Sequence, residues 1–599
     1  MQLKTRLSIV ALMCAASFQV ASQEMDDVMV VTADRFDASP EQRLAVVNTI
    51  ERTEIAQINP KSVVDLLEQL PGVSVTRTGG AGQTASVSIR GANSDHVLVL
   101  VDGARISSAT LGSASFNGLS PEQIERIEVV KGPRASIWGS DAIGGVIQIF
   151  TRKYAQDEGF VGAELGSDNY SRYSAGGGIS HGDGLTSVTV SKEQSDGFDA
   201  KRDAETDDDG YDRLSVGLNG LQNITDQWLI SWNGQYSSGN SEYDSSWGGN
   251  EADFDNYYVN AAAQYQSDAW ESKLLIGQSQ DSNENFRNGV EGKSLYETTR
   301  DQVSWINQFT VNDMLTFNAG ADYISEEVDG YYAQNERDIT AVFALARVDI
   351  NQWLLEGVVR YDDVENIDSE TSFNLSAGYR FDDNWRMSLG YGTGFKAPTF
   401  NDLYWPNSGN PDLTSETSTN VDLTLSYTNE DYNAYVSVFD TEVDDLINWV
   451  NTGEKDQNDW DIYRPENVDE ASIKGAEFGV NFTVNGLQHT LSYTYLDTEN
   501  KLTNVELEGR SEHEADFSLA YPIADWDLRL DYHYQGKRKD GAEYNDAYHK
   551  VDASIGYTLA QNWQFRLKAN NLFDEDIISN ADYYGPGAQW YLSVSYNKF

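Results

Sequence analysis

Six carboxylates, Asp199, Asp203, Glu205, Asp207, Asp208 and Asp209, fall within eleven residues. Charges this dense repel one another unless water solvates them or a hard cation bridges them, and Ca2+ accepts about 6–8 oxygen ligands. The run Glu205-x-Asp207-x-Asp209-Gly210 begins like a helix–loop–helix calcium loop. Val216 stands where its closing glutamate belongs, and no helical period flanks it, so that motif is excluded. The segment is either a solvated acidic loop or part of a cation site completed from elsewhere. A second candidate is Asp27-Val-Met-Val-Val-Thr-Ala33. Val28, Val30 and Val31 favour an extended chain that can add to a partner's sheet edge, or pack as an edge strand of its own domain. A third is the pair of loops 78–86 and 107–114, rich in Gly, Ser, Thr and Ala. Small residues leave room for a bulky ligand and offer backbone and hydroxyl hydrogen bonds. Enzyme motifs are absent: Gly390-x-Gly392-x-Gly394 has no helix after it, His513-Glu514 lacks the second histidine of a zinc helix, and no phosphate loop occurs.

Composition narrows the class of partner. The chain has 599 residues and a net charge of −53, which excludes nucleic acid, since phosphate binding needs a basic face. Aromatic residues reach 12%, high for so polar a chain. Residues 1–22 read as a secretory signal, with Lys4 and Arg6, an apolar run from Leu7 to Ala16, and Val20-Ala-Ser22 before a cleavage point near Gln23. The single cysteine, Cys14, lies inside it, and bulky Met13 makes a poor lipoprotein match. A mature chain without thiols is expected. No later apolar run reaches the roughly 20 residues of a spanning helix, so membrane residence requires a β-barrel.

The elements that must position these residues come in two styles. Residues 23–36 read as an extended linker, and 37–151 as a mixed α/β domain. Ser62 caps an expected helix carrying Val63, Leu66, Leu67 and Leu70, stopped by Pro71-Gly72. Strands are expected at 73–75, 85–90, 97–101, 124–130 and 146–150. Five charged residues, Arg90, Arg126, Lys131, Arg134 and Asp141, sit among these apolar strands and imply ion pairs within a charged surround. From 159 onward the period is two. In Trp526-Asp-Leu-Arg-Leu-Asp-Tyr-His-Tyr534 one face is apolar and aromatic and the other charged. Residues 228–236, 315–323 and 563–569 repeat this. A soluble sandwich buries its apolar face, whereas a transmembrane barrel turns it to lipid around a wet lumen, between aromatic girdles. The 448 residues of 152–599 suit 22 antiparallel strands of about 20 residues each, loop included. The acidic stretches 199–212, 239–256 and 451–470 are expected as outer loops. Trp590, Leu592, Val594 and Tyr596 alternate, while Phe599 falls out of phase, a slip that a bulge near Asn597 would absorb.

Motifs across both halves resemble the TonB-dependent outer-membrane receptors, and among them those that carry cobalamin. Leu70-Pro-Gly-Val73, Ile89-Arg-Gly91, His96 to Leu100, Asp102-Gly103, Gly132-Pro-Arg134 and Trp138 to Gly145 look like the family's plug. Tyr391 to Pro398, Gly409 to Leu413, Ile473-Lys-Gly475 and Asn571 to Asp574 look like its barrel. The resemblance implies an all-β barrel with an N-terminal α+β plug in its lumen, in the outer membrane of a Gram-negative bacterium. It implies a monomer, in contact with outer-membrane lipid, that imports its cargo actively and has no enzymatic step. By that resemblance Asp27, Val28, Met29, Val30, Val31, Thr32 and Ala33 form the box that TonB grips. Calcium would be held by Asp199, Glu205, Asp207 and Asp209 from one loop and by Tyr243 (through its backbone oxygen), Asp244 and Asp253 (or Asp255) from the next. Cobalamin would touch Thr84, Ser86, Asn93, Leu111 and Gly112 on the plug and Ser245, Arg510 and Tyr544 on the barrel. Glu205 replaces a family amide, and the side chains at 84, 111 and 112 also depart from the family. The same machine importing a ferric siderophore or haem is the nearest alternative, and a passive barrel used by phage or toxin is an alternative of another class.

Overall fold

The computed structural model describes residues 35, 43–201, 205–245, 249–287, 290–330, 332–455, 459–580 and 583–598. The 27–33 box, Asp203 and Phe599 lie outside the described residues.

The plug is built on β1 (Val47–Glu51), β2 (Val73–Arg77), β3 (Ala85–Ile89), β4 (Val97–Val101), β5 (Ala104–Arg105), β6 (Ile124–Lys131) and β7 (Gly145–Thr151). Five of these make one sheet in the order β1-β6-β7-β4-β5, and β2 and β3 form a separate hairpin. The continuous apolar run of β4 is buried at all five positions, as expected of a strand covered on both faces. It pairs in parallel with β7. Against the sheet pack α1 (Arg52–Ile58) and α2 (Val64–Leu67), in a core that includes Ile50, Ile55, Leu66, Leu67, Val99, Ile127 and Ile147. The expected helix after Ser62 is a single α-turn. Ser62 Oγ accepts from the Asp65 N–H (3.3 Å), and Asp65 Oδ2 accepts from the Ser62 N–H (3.0 Å), a reciprocal cap. Gly72, at φ +67°, then turns the chain. Helix α1 was not legible in the sequence: only Ile55 and Ile58 mark its buried side.

Around the plug, 22 antiparallel strands close into a barrel. The strand Trp353–Val364 shows its inverted polarity. Trp353, Leu355, Val359 and Tyr361 are 48, 41, 50 and 45% exposed, while Leu354, Glu356, Val358, Arg360 and Asp362 are at most 6% exposed. Charges face inward and apolar groups outward, as lipid demands. Tryptophans 228, 270, 353, 385, 526 and 563 each open a strand at a short turn. Five stand opposite a tyrosine on the neighbouring strand (265, 379, 427, 557 and 596), with ring centroids 4.6–5.2 Å apart. Trp270 faces Phe309. This is an interfacial aromatic belt. At the other end the connections are long and carry the acidic segments.

Two of the expected acidic loops are mostly strand. Strands Tyr432–Lys455 and Asp461–Val484 run through 451–470, and each, at about 80 Å if fully extended, greatly overshoots a bilayer crossing. Trp228–Glu242 and Glu251–Gln266 leave only 243–250 as a connection. Above the membrane both faces of a strand are wet, so acidic side chains do not oppose the ladder. Register shifts at Val443/Leu446 and Asn451/Lys455 absorb the irregularity. The bulge expected near Asn597 is absent: Tyr591–Lys598 pairs with Gly159–Gly166 in unbroken register.

Leu274, exposed four residues past Trp270, lies in the apolar band. Leu274→Arg is expected to destabilise the barrel by about 2–4 kcal/mol in urea titrations in bilayers. The same change at Asn312, beside a short turn, is expected to cost about 1 kcal/mol or less.

Candidate functional site

The plug's β2–β3 loop reaches the mouth of the barrel and is stitched to the acidic segments. Thr78 closes the loop on the Thr84 carbonyl through its N–H (3.1 Å) and hydroxyl (3.3 Å). Buried Gln83 donates from Nε2 to the carbonyls of Asp209 (3.0 Å) and Glu242 (2.9 Å). Ser241 Oγ donates to the Gly82 carbonyl (2.9 Å). A Cβ at Gly82 would come within 2.3 Å of the Tyr211 ring, so only glycine allows this approach. Thr84 is exposed at the loop end and Ser86 half-buried on β3.

Beside this loop the carboxylates converge. One oxygen from each of Glu205, Asp207 and Asp244 lies within 4.8 Å of the others. Asp244 Oδ2 accepts from the Lys201 N–H (2.7 Å) and Asp209 Oδ2 from the Ala200 N–H (3.1 Å). Asp209, at the outer lip, is pushed up to about 7 by burial, with Asp244 and Asp207 acting in the same direction, against the Ala200 N–H that favours the anion. Asp199 Oδ1 is buried without a hydrogen-bond partner. Tyr243 sits at the edge of the group, its hydroxyl turned to Asn285 (2.8 Å), with half-buried Ser245 two residues on. Asp253 is elsewhere: it is exposed and accepts from Asn240 Nδ2 (2.8 Å), because the strand's alternation turns it away from the group. Asp255, exposed on the same face, accepts from the Tyr236 hydroxyl (3.1 Å).

On another side of the mouth Arg510 donates from Nε to the Gly91 carbonyl (3.0 Å) and from a terminal nitrogen to Asn93 Oδ1 (2.5 Å). Both residues line an outward cavity of about 360 Å3 with Asn448, Asp469 and Lys539. Tyr544, exposed in the hairpin above, bonds Glu506 (3.1 Å). Leu111 is 59% exposed at the plug apex, an apolar contact point in a polar mouth. Gly112, at φ +81°, would push a Cβ onto Asp95 and Thr399, so its role is to shape the loop. Asn93 and Arg510 are thus brought together, whereas Thr84, Ser86 and Leu111 do not line their cavity.

A family model described as the TonB-dependent receptor plug domain matches residues 39–146, and one described as TonB dependent receptor-like, β-barrel matches 151–572. The chain belongs to the TonB-dependent receptors. Its place is therefore the outer membrane of Gram-negative bacteria. Among its relatives is a vitamin B12 transporter BtuB of Photobacterium profundum, 36% identical over 608 residues, covering 99% of each chain. Another is that of Vibrio vulnificus strain YJ016, 32% identical over 98% of each. Solved structures with the same fold include the siderophore receptor PirA from Acinetobacter baumannii (TM-score 0.82, 18% identity, 92% of this chain and 98% of that one). A mutant of the ferric enterobactin receptor PfeA from Pseudomonas aeruginosa reaches 0.81 at 18%, over 95% of this chain and 100% of that one.

In this receptor the plug is held by buried charge. Arg90 and Lys131 converge on Glu477 of the wall (3.0 and 3.2 Å), and Asp141 meets Arg105 (3.4 Å) within the plug. Arg126 pairs with Glu128 on its own strand (2.9 Å). Arg134 is buried but makes no ion pair among the described residues. Sequence reading missed Arg35, two residues after the 27–33 box. Its guanidinium binds both oxygens of Asp322 (2.7 and 2.9 Å), shares that carboxylate with Arg360 (2.6 Å), and stacks on Trp138. A contact across 287 residues leaves no local signal.

Gln83→Ala removes two of the hydrogen bonds between the plug loop and the acidic segments, each worth about 1 kcal/mol, and leaves the one from Ser241 to Gly82. Amide exchange at 78–84 is expected to rise several-fold while exchange in β4 stays unchanged, read by mass spectrometry.

Proposed function

We propose that this receptor imports cobalamin across the outer membrane, with TonB pulling on residues 27–33. The observation that carries this reading is the identity of 36% along the whole chain to a protein named a vitamin B12 transporter. The mouth supports it: small-residue plug loops, an exposed leucine and the Asn93–Arg510 pair suit a bulky ligand with both apolar and amide surface. The siderophore receptors share the fold at 18% identity, which says nothing of cargo. A plug pinned to the wall by Arg90, Lys131 and Arg35 argues against a passive pore.

Calcium fits the acidic group. Glu205, Asp207 and Asp244 offer oxygens at bridging distance, Asp199 has an unpartnered buried oxygen, and Asp209 lies against Asp244. A divalent cation would neutralise this crowding and fix two loops against Gln83. Ligand and cation then act on the same plug loop. Traction at residues 27–33 would reach Arg35 first, then β1 and α1.

Deleting residues 27–33 is expected to abolish uptake of labelled cyanocobalamin in cells while leaving surface binding unchanged; uptake that survives the deletion contradicts energised import. In calcium titrations of purified receptor, Asp244→Asn and Glu205→Gln are each expected to weaken binding about tenfold, or about 1.4 kcal/mol. Asp253→Asn is expected to behave as wild type.

A further inference from the structure

The plug does not grip the barrel in the same way all round. Toward the middle of the chain the contact is apolar. Leu98, Leu100 and Trp138 pack with Leu345 and Val358 of the wall, Ala135 with Ile324 and Ile339, and Ile143 with Val443 and Ala471. No apolar cluster of the described residues includes a wall residue from 159–181 or 513–598. In that sector the plug meets the wall through polar groups.

Two cavities lie in this sector, one above the other. An outer cavity of about 130 Å3 runs from Gly79 and Phe198 at the mouth down to Lys61 and Lys568. An inner cavity of about 420 Å3 runs from Asn59 and Glu164 to Gln564 and Asn597 beside the short turns. Plug residues 59–61 separate the two. There Lys61 is ion-paired to Glu164, and Arg172 binds Glu164 (2.7 Å), Asn59 Oδ1 (3.1 Å) and the Pro60 carbonyl (3.2 Å). Asn59 Nδ2 also donates to Glu164 (2.7 Å), and Lys568 donates to the Asn59 carbonyl (3.3 Å). The partition is one short plug turn after α1 tied to Glu164 and Arg172 of two barrel strands, and no strand of the plug sheet takes part.

We infer that cargo crosses the receptor along this sector, through a path closed at mid-depth by Lys61, Glu164 and Arg172. The inference rests on the import reading. Apolar seams open only by exposing area to water, at a cost proportional to that area. Hydrogen bonds and ion pairs can be exchanged for water at much smaller net cost. Traction from the N-terminus first loads β1 and its ladder to β6 and then residues 52–61, before it reaches β4 or β7, so the partition lies directly behind the first plug strand under load. Withdrawing 59–61 would join two existing cavities while the apolar seams keep the rest of the plug in place.

The test is a reversible lock. Cys14 is the only cysteine in the chain, so Lys61→Cys with Glu164→Cys can be joined at one defined place by a short bis-methanethiosulfonate linker, which replaces the length of the two lost side chains where a direct disulfide would need Cα atoms within about 7 Å. Ser140→Cys with Ala397→Cys, at a plug–wall contact of 3.0 Å in the apolar sector, treated alike, makes the control lock. Linked 61–164 is expected to bind cyanocobalamin as wild type, to lose uptake, and to regain it with reductant, while the 140–397 lock leaves uptake intact. Uptake through a closed 61–164 lock, or equal loss with both locks, overturns the inference. A second measurement needs no cargo: in planar bilayers Lys61→Ala/Glu164→Gln is expected to raise ion conductance several-fold over wild type, and His96→Ala/Glu416→Gln is not. Unchanged conductance in the first variant contradicts the path. Failure of wild type to take up cyanocobalamin sinks the cargo reading alone, and the conductance result still decides the path.

Discussion

Hydrocarbon offers no partner to a peptide N–H or C=O, so a chain that crosses it in strands must close its sheet. That constraint shapes the rest of the molecule. Closure into 22 strands fixes a period of two, which turns apolar and aromatic side chains to lipid and leaves a wide polar lumen. A plug can rest in such a lumen only by matching its charges. Hence Arg90 and Lys131 meet Glu477, and Arg35 and Arg360 meet Asp322. Removing one member of such a buried set costs about 3–5 kcal/mol, because the charge left behind stays buried without its partner.

The two ends of the plug are held differently. β7 (Gly145–Thr151) lies in the sheet centre and leads within a few residues into the first barrel strand at Gly159, so the C-terminal end is anchored by the chain itself. The N-terminal end is tied by Arg35 and by polar contacts of α1 and residues 59–61. The strand and turn at 126–134, with the segment to 151, belong to the end of the plug that the chain itself anchors to the barrel. At the mouth, Gln83 and Gly82 link the same plug to the acidic segments through three hydrogen bonds.

Much of this was readable from residue order. Period two gave the barrel and its inverted faces, and the continuous apolar run at 97–101 gave a doubly covered strand. The motif matches in both halves gave the family. Short helices were not readable: α1 shows only Ile55 and Ile58, and α2 is a single turn whose cap was legible but whose length was not. The acidic hairpin at 451–470 was misjudged because composition reports solvation, and a strand standing in water is as solvated as a loop. Asp253 was grouped with the carboxylates by the family resemblance, but strand alternation turns it outward. Arg35, Gln83 and the 59–61 turn were missed because their partners lie more than a hundred residues away, and no local pattern encodes such a pairing.

The proposed function requires that these loops and the plug apex form a cobalamin site ordered by calcium. Equilibrium binding of cyanocobalamin to the purified receptor, with calcium and with chelator, tests it most directly. The account predicts saturable binding that tightens when calcium is present and weakens in Arg510→Ala. No saturable binding in either condition, with tight binding of a ferric siderophore instead, would contradict it.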